Sequence, residues 1–253
     1  MTSEKRIQSE ICTADEKSIT IRGKNLSDEI IGEDGFGEYI YFHFTGSEPT
    51  ESEARMINAL LVTPVEHGIT PSVMAARLTY DSAPEAVQGA VASGLLGAGS
   101  TFLGSMEDIS ELLYEGVDQM EDDDPDRIAR DIVEREDRLP GFGHPIHSPV
   151  DPRTARLFEL LEEEGMAGEY YDLIQAIHDR AQEVYNADMM INATGAIGTC
   201  ICEMGLNPKI GRGLALVSRA AGLVGHINEE IDSPLARDLW DVVAENSDYT
   251  GEL

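Results

Sequence analysis

The spacing of apolar positions changes along this chain. Ser18-Ile-Thr-Ile-Arg22 alternates and is β-branched, which predicts a short strand. Tyr39 to Gly46 is an apolar run ending at glycine that fits a strand or a buried helix equally well. Residues 1–49 therefore read as a small extended entry segment. From Thr50 the period becomes helical. Thr50-Glu-Ser-Glu53 has the capping-box arrangement, and Ala54, Ile57, Leu60 and Leu61 follow at helical spacing until Pro64. Further helices are predicted over Ser72–Tyr80, Glu85 to about Leu96, Met106–Tyr114, Ile128–Asp137, Thr154–Glu164, Tyr170–Asn186, Met189–Met204 and Gly211–Glu230. Gly97 to Gly104 reads as a glycine-rich turn, Glu121 to Asp126 as a solvated acidic connector, and the tail beyond 230 as acidic and partly mobile. Nine or ten helices with little strand, and no internal repeat, predict a mainly α fold.

The stretch from Leu139 to Arg153 interrupts this pattern, with two glycines and four prolines in fifteen residues. It is a loop of fixed shape between two helices, carrying His144, His147 and Arg153. A proline-rich corner whose histidines are merely exposed is the alternative on composition. His67 lies in another interhelical loop, Val65 to Pro71. Arg219 sits on a mostly apolar helix, where a cation is costly unless an anion meets it. That anion is either a structural carboxylate or one on a ligand. Two histidines and two arginines around one pocket would bind a polycarboxylate and move protons on it. Whether they meet is not visible in the sequence. His226, two turns beyond Arg219, is a weaker candidate for the same pocket. His147 reads as a solvent-facing bystander, and His43 and His178 as surface or packed residues.

Charge narrows the functions further. There are 48 acidic against 18 basic residues, a net charge of −30, and only four lysines beside fourteen arginines. Such a surface opposes nucleic acid and anionic membranes, which need clustered cations. A solvated acidic shell in a high-salt cytoplasm is the best account of it, because salt screens the self-repulsion, and an ordinary acidic mesophile protein is the alternative. Three cysteines, Cys12, Cys200 and Cys202, support neither a disulfide framework nor a zinc site, and no other metal site is expected. No apolar leader and no run of membrane-span length is present, so a soluble cytoplasmic protein is expected. Gly97–Gly104 lacks the lysine of a phosphate-binding loop, Gly141-Phe-Gly143 lacks the third glycine of a dinucleotide fingerprint, and no serine lies in a Gly-x-Ser-x-Gly context.

Pro140-Gly-Phe-Gly-His144 followed by Asp151-Pro-Arg153 resembles the Gly-Phe-Gly-His … Asp-Pro-Arg signature of the citrate synthase superfamily. The Gly-His-Pro-x-His form is most similar to its small citryl-CoA lyase branch, which includes the C-terminal lyase domain of ATP-citrate lyase. Glu66-His67-Gly68, Asn192-Ala-Thr-Gly195 and Ser218-Arg219-Ala-Ala-Gly222 through His226 resemble further family segments in the right order. The resemblance implies a homodimer with a large lobe (50–150 and 211–253) and a small lobe (151–210). It implies making or breaking a C–C bond between an acetyl-CoA enolate and oxaloacetate, with the coenzyme A thioester as substrate and no bound cofactor. By position, His144 would hold the oxaloacetate carbonyl or the citryl hydroxyl, and His67 a substrate carboxylate or carbonyl. Arg153 and Arg219 would clamp carboxylates, Asn192 and Thr194 would adjoin the substrate, and Pro140, Gly141, Phe142 and Gly143 would lie against coenzyme A. Two positions depart from the pattern. Thr194 stands where the family has its acid/base aspartate, and Phe102 where many members have a histidine that supports the enolate. A catalytically degenerate member that binds a coenzyme A ester or dicarboxylate, or regulates a partner, is the alternative reading.

Overall fold

The structure is a computed structural model and describes residues 8–120, 124–144, 148–185 and 189–251, apart from the side chains of Thr101 and Phe102. His147, Asn186 and residues 121–123 of the acidic run lie outside the described residues. The chain separates into two units, Met1–Ala59 and Leu60–Leu253.

In the first unit three short strands, β1 (Cys12–Ala14), β2 (Ile19–Ile21) and β3 (Lys24–Asn25), form an antiparallel sheet in the order β1-β2-β3. A single π-turn, Leu26–Ile30, follows. The ambiguous apolar run is helical: α1 covers Phe36–Thr45 and ends at Gly46 in the left-handed conformation. Ile21, Ile30 and Phe42 bury together and decide that choice, since a helix lets Phe42 face the sheet. Helix α2 (Glu51–Val62) begins with the expected reciprocal cap. The Glu53 amide donates to Thr50 Oγ1 at 3.2 Å, and the Thr50 amide donates to Glu53 Oε2 at 2.8 Å.

The second unit continues with α3 (Pro71–Ser82), α4 (Val87–Leu103), α5 (Ser105–Asp118), α6 (Pro125–Arg135), α7 (Pro152–Glu163), α8 (Glu169–Tyr185), α9 (Ala193–Glu203), α10 (Ile210–Asp232) and α11 (Ala236–Glu245). Proline at the first turn of α3, α6 and α7 suits a position whose N–H needs no partner. Helix α3 lies along α4, α6 along α8 and α5 along α9, while α10 packs on α3 and α4. The core is aliphatic, with Val73, Ala76, Ile109, Leu161, Ile174 and Ile201 fully buried.

Three expectations are corrected. Gly97–Gly104 is mostly helical rather than a turn throughout: two helical stretches meet inside it, and the break expected there is confined to a kink at Gly99 (φ 51°, ψ −168°). The glycines of this helix serve close packing: a β-carbon at Gly94 would stand 2.7 Å from Leu223 Cδ1, and one at Gly97 3.2 Å from Ala75 Cβ. Residues 189–192 are extended rather than helical, for they pair with the central loop and α9 starts only at Ala193. The acidic tail carries α11, whose start is fixed by Glu230 Oε1 accepting the Leu235 and Ala236 amides at 2.8 and 2.7 Å.

Candidate active site

The Leu139–Arg153 loop takes its shape from the chain beside it. The Gly143 amide donates to the Met190 carbonyl at 2.8 Å and the Asn192 amide to the Gly141 carbonyl at 2.9 Å, with Phe142 opposite Ile191 in a strand-like bridge. Gly141 (φ 80°) and Gly143 (φ 73°) adopt left-handed backbone that other residues resist. Gly141 also touches Gly195 backbone to backbone, and a β-carbon at 141 would sit 2.7 Å from Gly195 Cα. His144 leaves this turn at a defined angle.

Asp151 fastens the loop to two helices. It is the N-cap of α7 and fully buried. Its Oδ1 accepts the Arg153 amide and Arg153 Nε, both at 3.0 Å; its Oδ2 accepts Arg153 Nη2 at 2.7 Å and the Ala193 amide of α9 at 3.1 Å. Four donors saturate the carboxylate, leaving it no spare lone pair for acid–base work. Burial pushes the carboxyl up, but the bonds from Arg153 and Ala193 outweigh it and hold it below the ordinary carboxylate range.

Arg153, aimed by this fork, brings Nη2 to 3.4 Å from His144 Nε2. A guanidinium only donates, so Nε2 of His144 presents its lone pair on this side. The His67 ring meets His144 edge-on, with centroids 5.3 Å apart. His67 is presented by the loop before α3, where Gly68 (φ 75°) turns the chain and Thr70 caps the helix. Arg219 enters from α10 with only 8% of its surface exposed, and its Nη1 has no hydrogen-bond partner. Burial lowers its proton affinity, the nearby Glu66 charge raises it, and Arg153 lowers it again.

The groups bonded around Thr194 are neutral. Asn192 caps α9, its Oδ1 accepting the Thr194 and Gly195 amides at 2.9 and 3.2 Å, while Nδ2 donates to the Gly143 carbonyl at 2.7 Å. The Thr194 hydroxyl donates to Asn192 Oδ1 at 2.6 Å and accepts from Ser105 Oγ at 3.2 Å. Its proton is therefore committed, and one acceptor lone pair remains. These groups line a single cavity of about 730 Å³ together with Pro140–Gly143, Arg138, Asp108 and Glu136, a volume suited to a small-molecule ligand.

The structure thus brings together His67, His144, Arg153, Arg219, Asn192, Thr194 and residues 140–143. His226 is not among the lining residues: it bonds Glu66 and Arg77 instead. His43 stacks near Tyr39, and His178 pairs with Gln182. The sequence alone gives Asp151 no role beyond its place in the Asp-Pro-Arg signature, and gives Ser105 none. Asp151 carried a signal, an Asp-Pro helix start, whereas Ser105 joins Thr194 across 89 residues and carried none. Among the described residues no three His, Cys, Asp or Glu side chains gather as a metal site, and no helix is long and apolar enough to cross a membrane.

A helical frame that brings two histidines and two arginines to one glycine-lined cavity suits a small-molecule ligand. The chain belongs to the citrate synthase family: the profile of the citrate synthase C-terminal domain matches residues 21–238. Among solved structures it is similar to citryl-CoA lyase from Hydrogenobacter thermophilus, with a TM-score of 0.87, 29% identity, and coverage of 98% of this chain and 96% of that one. It shares its fold with ATP citrate lyase from Methanothrix soehngenii, solved with citrate and coenzyme A, at a TM-score of 0.80 and 20% identity over 100% of this chain and 43% of that one. Citrate synthase from Haloferax volcanii is 26% identical over 215 residues, which are 83% of this chain and 54% of that protein. The chain spans about half the length of the curated relatives it matches. These relatives and neighbours are enzymes.

Proposed function

We propose that this protein acts on a 3-hydroxy polycarboxyl-CoA thioester in the manner of citryl-CoA lyase, giving acetyl-CoA and oxaloacetate or running the reverse. The observation that carries this reading is Arg219, a buried arginine whose Nη1 is unpartnered beside the His144–Arg153–Asp151 cluster. A buried guanidinium nitrogen without a partner calls for an anion, and a substrate carboxylate supplies it. His144 takes the proton of the citryl hydroxyl. The C–C bond then breaks so that the hydroxyl carbon becomes the ketone of oxaloacetate, and the electron pair passes to the thioester as its enolate. The enolate carbon regains a proton to give acetyl-CoA. Thr194 does not supply that proton, since its hydroxyl is neutral and already bound to Asn192. Water is left to supply it. Pro140 to Gly143 take the coenzyme A side of the thioester. The similarity to citryl-CoA lyase over nearly the whole of both chains favours this branch over the longer synthases.

The same reading includes the two-lobe division of residues 50–253 and a cytoplasmic homodimer from a high-salt cell. Exposed Leu96, Val224, Ile231, Trp240 and Val243 offer apolar surface for a second copy, and the charge of −30 suits concentrated salt. The Thr194 hydroxyl in the aspartate position favours one rival: a family member that binds a thioester or dicarboxylate without turning it over. Citryl-CoA cleavage in molar KCl, followed by acetyl-CoA release, separates the two. Turnover that disappears in His144→Ala supports the lyase. Calorimetric binding of citryl-CoA or oxaloacetate without turnover supports the binding protein, and neither signal refutes both.

A further inference from the structure

Helix α10 presents Arg219, Gly222 and His226 on one face, at successive turns. The backbone of Val65 and Glu66, immediately before His67, lies across that face. A β-carbon at Gly222 would strike the Val65 carbonyl and stand 2.9 Å from Glu66 Oε1. The Glu66 carboxylate therefore rests between an arginine one turn back and a histidine one turn on. It bonds the histidine: His226 Nε2 is 2.9 Å from Glu66 Oε2. On the other side of the ring, His226 Nδ1 is 2.8 Å from Arg77 Nη2. Because a guanidinium only donates, Nδ1 is the acceptor and Nε2 carries the proton given to Glu66. Arg77 is itself fixed. Its side chain is fully buried, Nη1 donates to Glu230 at 2.6 Å, and Nη2 also pairs with Glu229. A chain of bonds thus links the start of α11 to Glu66: Glu230 accepts from the α11 amides and from Arg77, Arg77 donates also to His226, and His226 donates on to Glu66. Arg219, on the same face, makes no ion pair among the described residues.

We propose that His226 is a positioning residue: it tethers Glu66 away from Arg219, so that the guanidinium of this cavity-lining arginine is left for a ligand carboxylate. The inference rests on the reading of Arg219 as a carboxylate site. With Nε2–H in place, half-exposed Glu66 has a donor of its own and does not close the site. Without it, the carboxylate turns to the unpartnered cation beside it and competes with the ligand.

The test is a double-mutant cycle read by calorimetric titration of oxaloacetate. His226→Leu weakens binding about tenfold, a typical coupling between neighbouring groups. Adding Glu66→Gln to it restores most of that loss, because no carboxylate is left to compete. His226→Gln, whose amide both accepts from Arg77 and donates to Glu66, stays close to wild type. A purely structural role would leave the double variant as weak as His226→Leu and would overturn the proposal. Should His226→Leu not fold, ¹⁵N-histidine NMR of the wild type decides: a neutral Nε2–H ring supports the tether, and an Nδ1–H ring refutes it. Wild type that binds no dicarboxylate removes the ligand site itself, and this inference with it. Wild type that binds but shows no rescue removes only the role of His226.

Discussion

Arg77 and Arg219 are both buried on the same side of α10, yet they are treated differently. Both terminal nitrogens of Arg77 are matched inside the chain, by Glu230, Glu229 and His226. Arg219 lines the cavity, and among the described residues it has no ion pair and its buried Nη1 no hydrogen-bond partner. The desolvation cost of a buried cation is similar in the two places, so what differs is where the compensating anion resides. For Arg77 it comes with the fold; for Arg219, under the proposed function, a ligand carboxylate supplies it. On that reading one arginine stabilises the α3–α10–α11 assembly, while the other is compensated only when a ligand binds.

Substitutions can break that contrast. The largest effect is expected from Arg77→Leu, which strands Glu230, a carboxylate only 3% exposed. It should lose about 3–5 kcal/mol in urea unfolding. Arg219→Leu should leave unfolding unchanged or shifted toward higher urea, while dicarboxylate affinity falls by about 2–5 kcal/mol in calorimetry. Equal stability losses from the two substitutions would contradict the distinction. Asp151→Asn lies between, since it loosens both the fold and the Arg153–His144 geometry. About 1–3 kcal/mol of stability should be lost near neutral pH. The native Asp151 carboxyl is held below its ordinary value of 3.8, so its contribution is complete above that pH and disappears as pH falls through the lower native value. The difference between wild type and Asp151→Asn should therefore begin to shrink as acid unfolding is followed below about pH 3.8, and vanish only below the lower native value. The smallest effect belongs to Thr50→Ala, far from either arginine in chain order. Losing the reciprocal cap of α2 costs about 1 kcal/mol in thermal unfolding and leaves ligand affinity untouched.

Much of this was readable from the chain, and the exceptions have physical reasons. The cap at Thr50 and the prolines at 71 and 152 mark helix starts because their chemistry is local. His144 and Arg153 could be singled out because a Gly/Pro-rich loop has few other uses for them. Gly97–Gly104 misled in part because glycine signals a turn by its backbone freedom, which here only Gly99 uses, whereas Gly97 serves close helix contact at Ala75. Met189–Asn192 misled because a continuous apolar run has no period, and only its partner, Phe142, makes it extended. The tie from His226 to Glu66 spans 160 residues and has no local signature, so the sequence suggested His226 for the cavity when it serves Glu66 instead.

The backbone contact between Gly141 and Gly195 carries a consequence for how such a site can change over generations. Alanine at either position meets main chain rather than a movable side chain, with Gly195 Cα on one side and the Gly141 carbonyl on the other. A larger residue at one cannot be relieved by a smaller one at its neighbour, since glycine is already the smallest. Single-step variation is closed at both positions, while Thr194, next in sequence but facing the cavity, is free to vary. The lineage could thus exchange the chemistry at 194 without disturbing the hinge point that holds His144 in place.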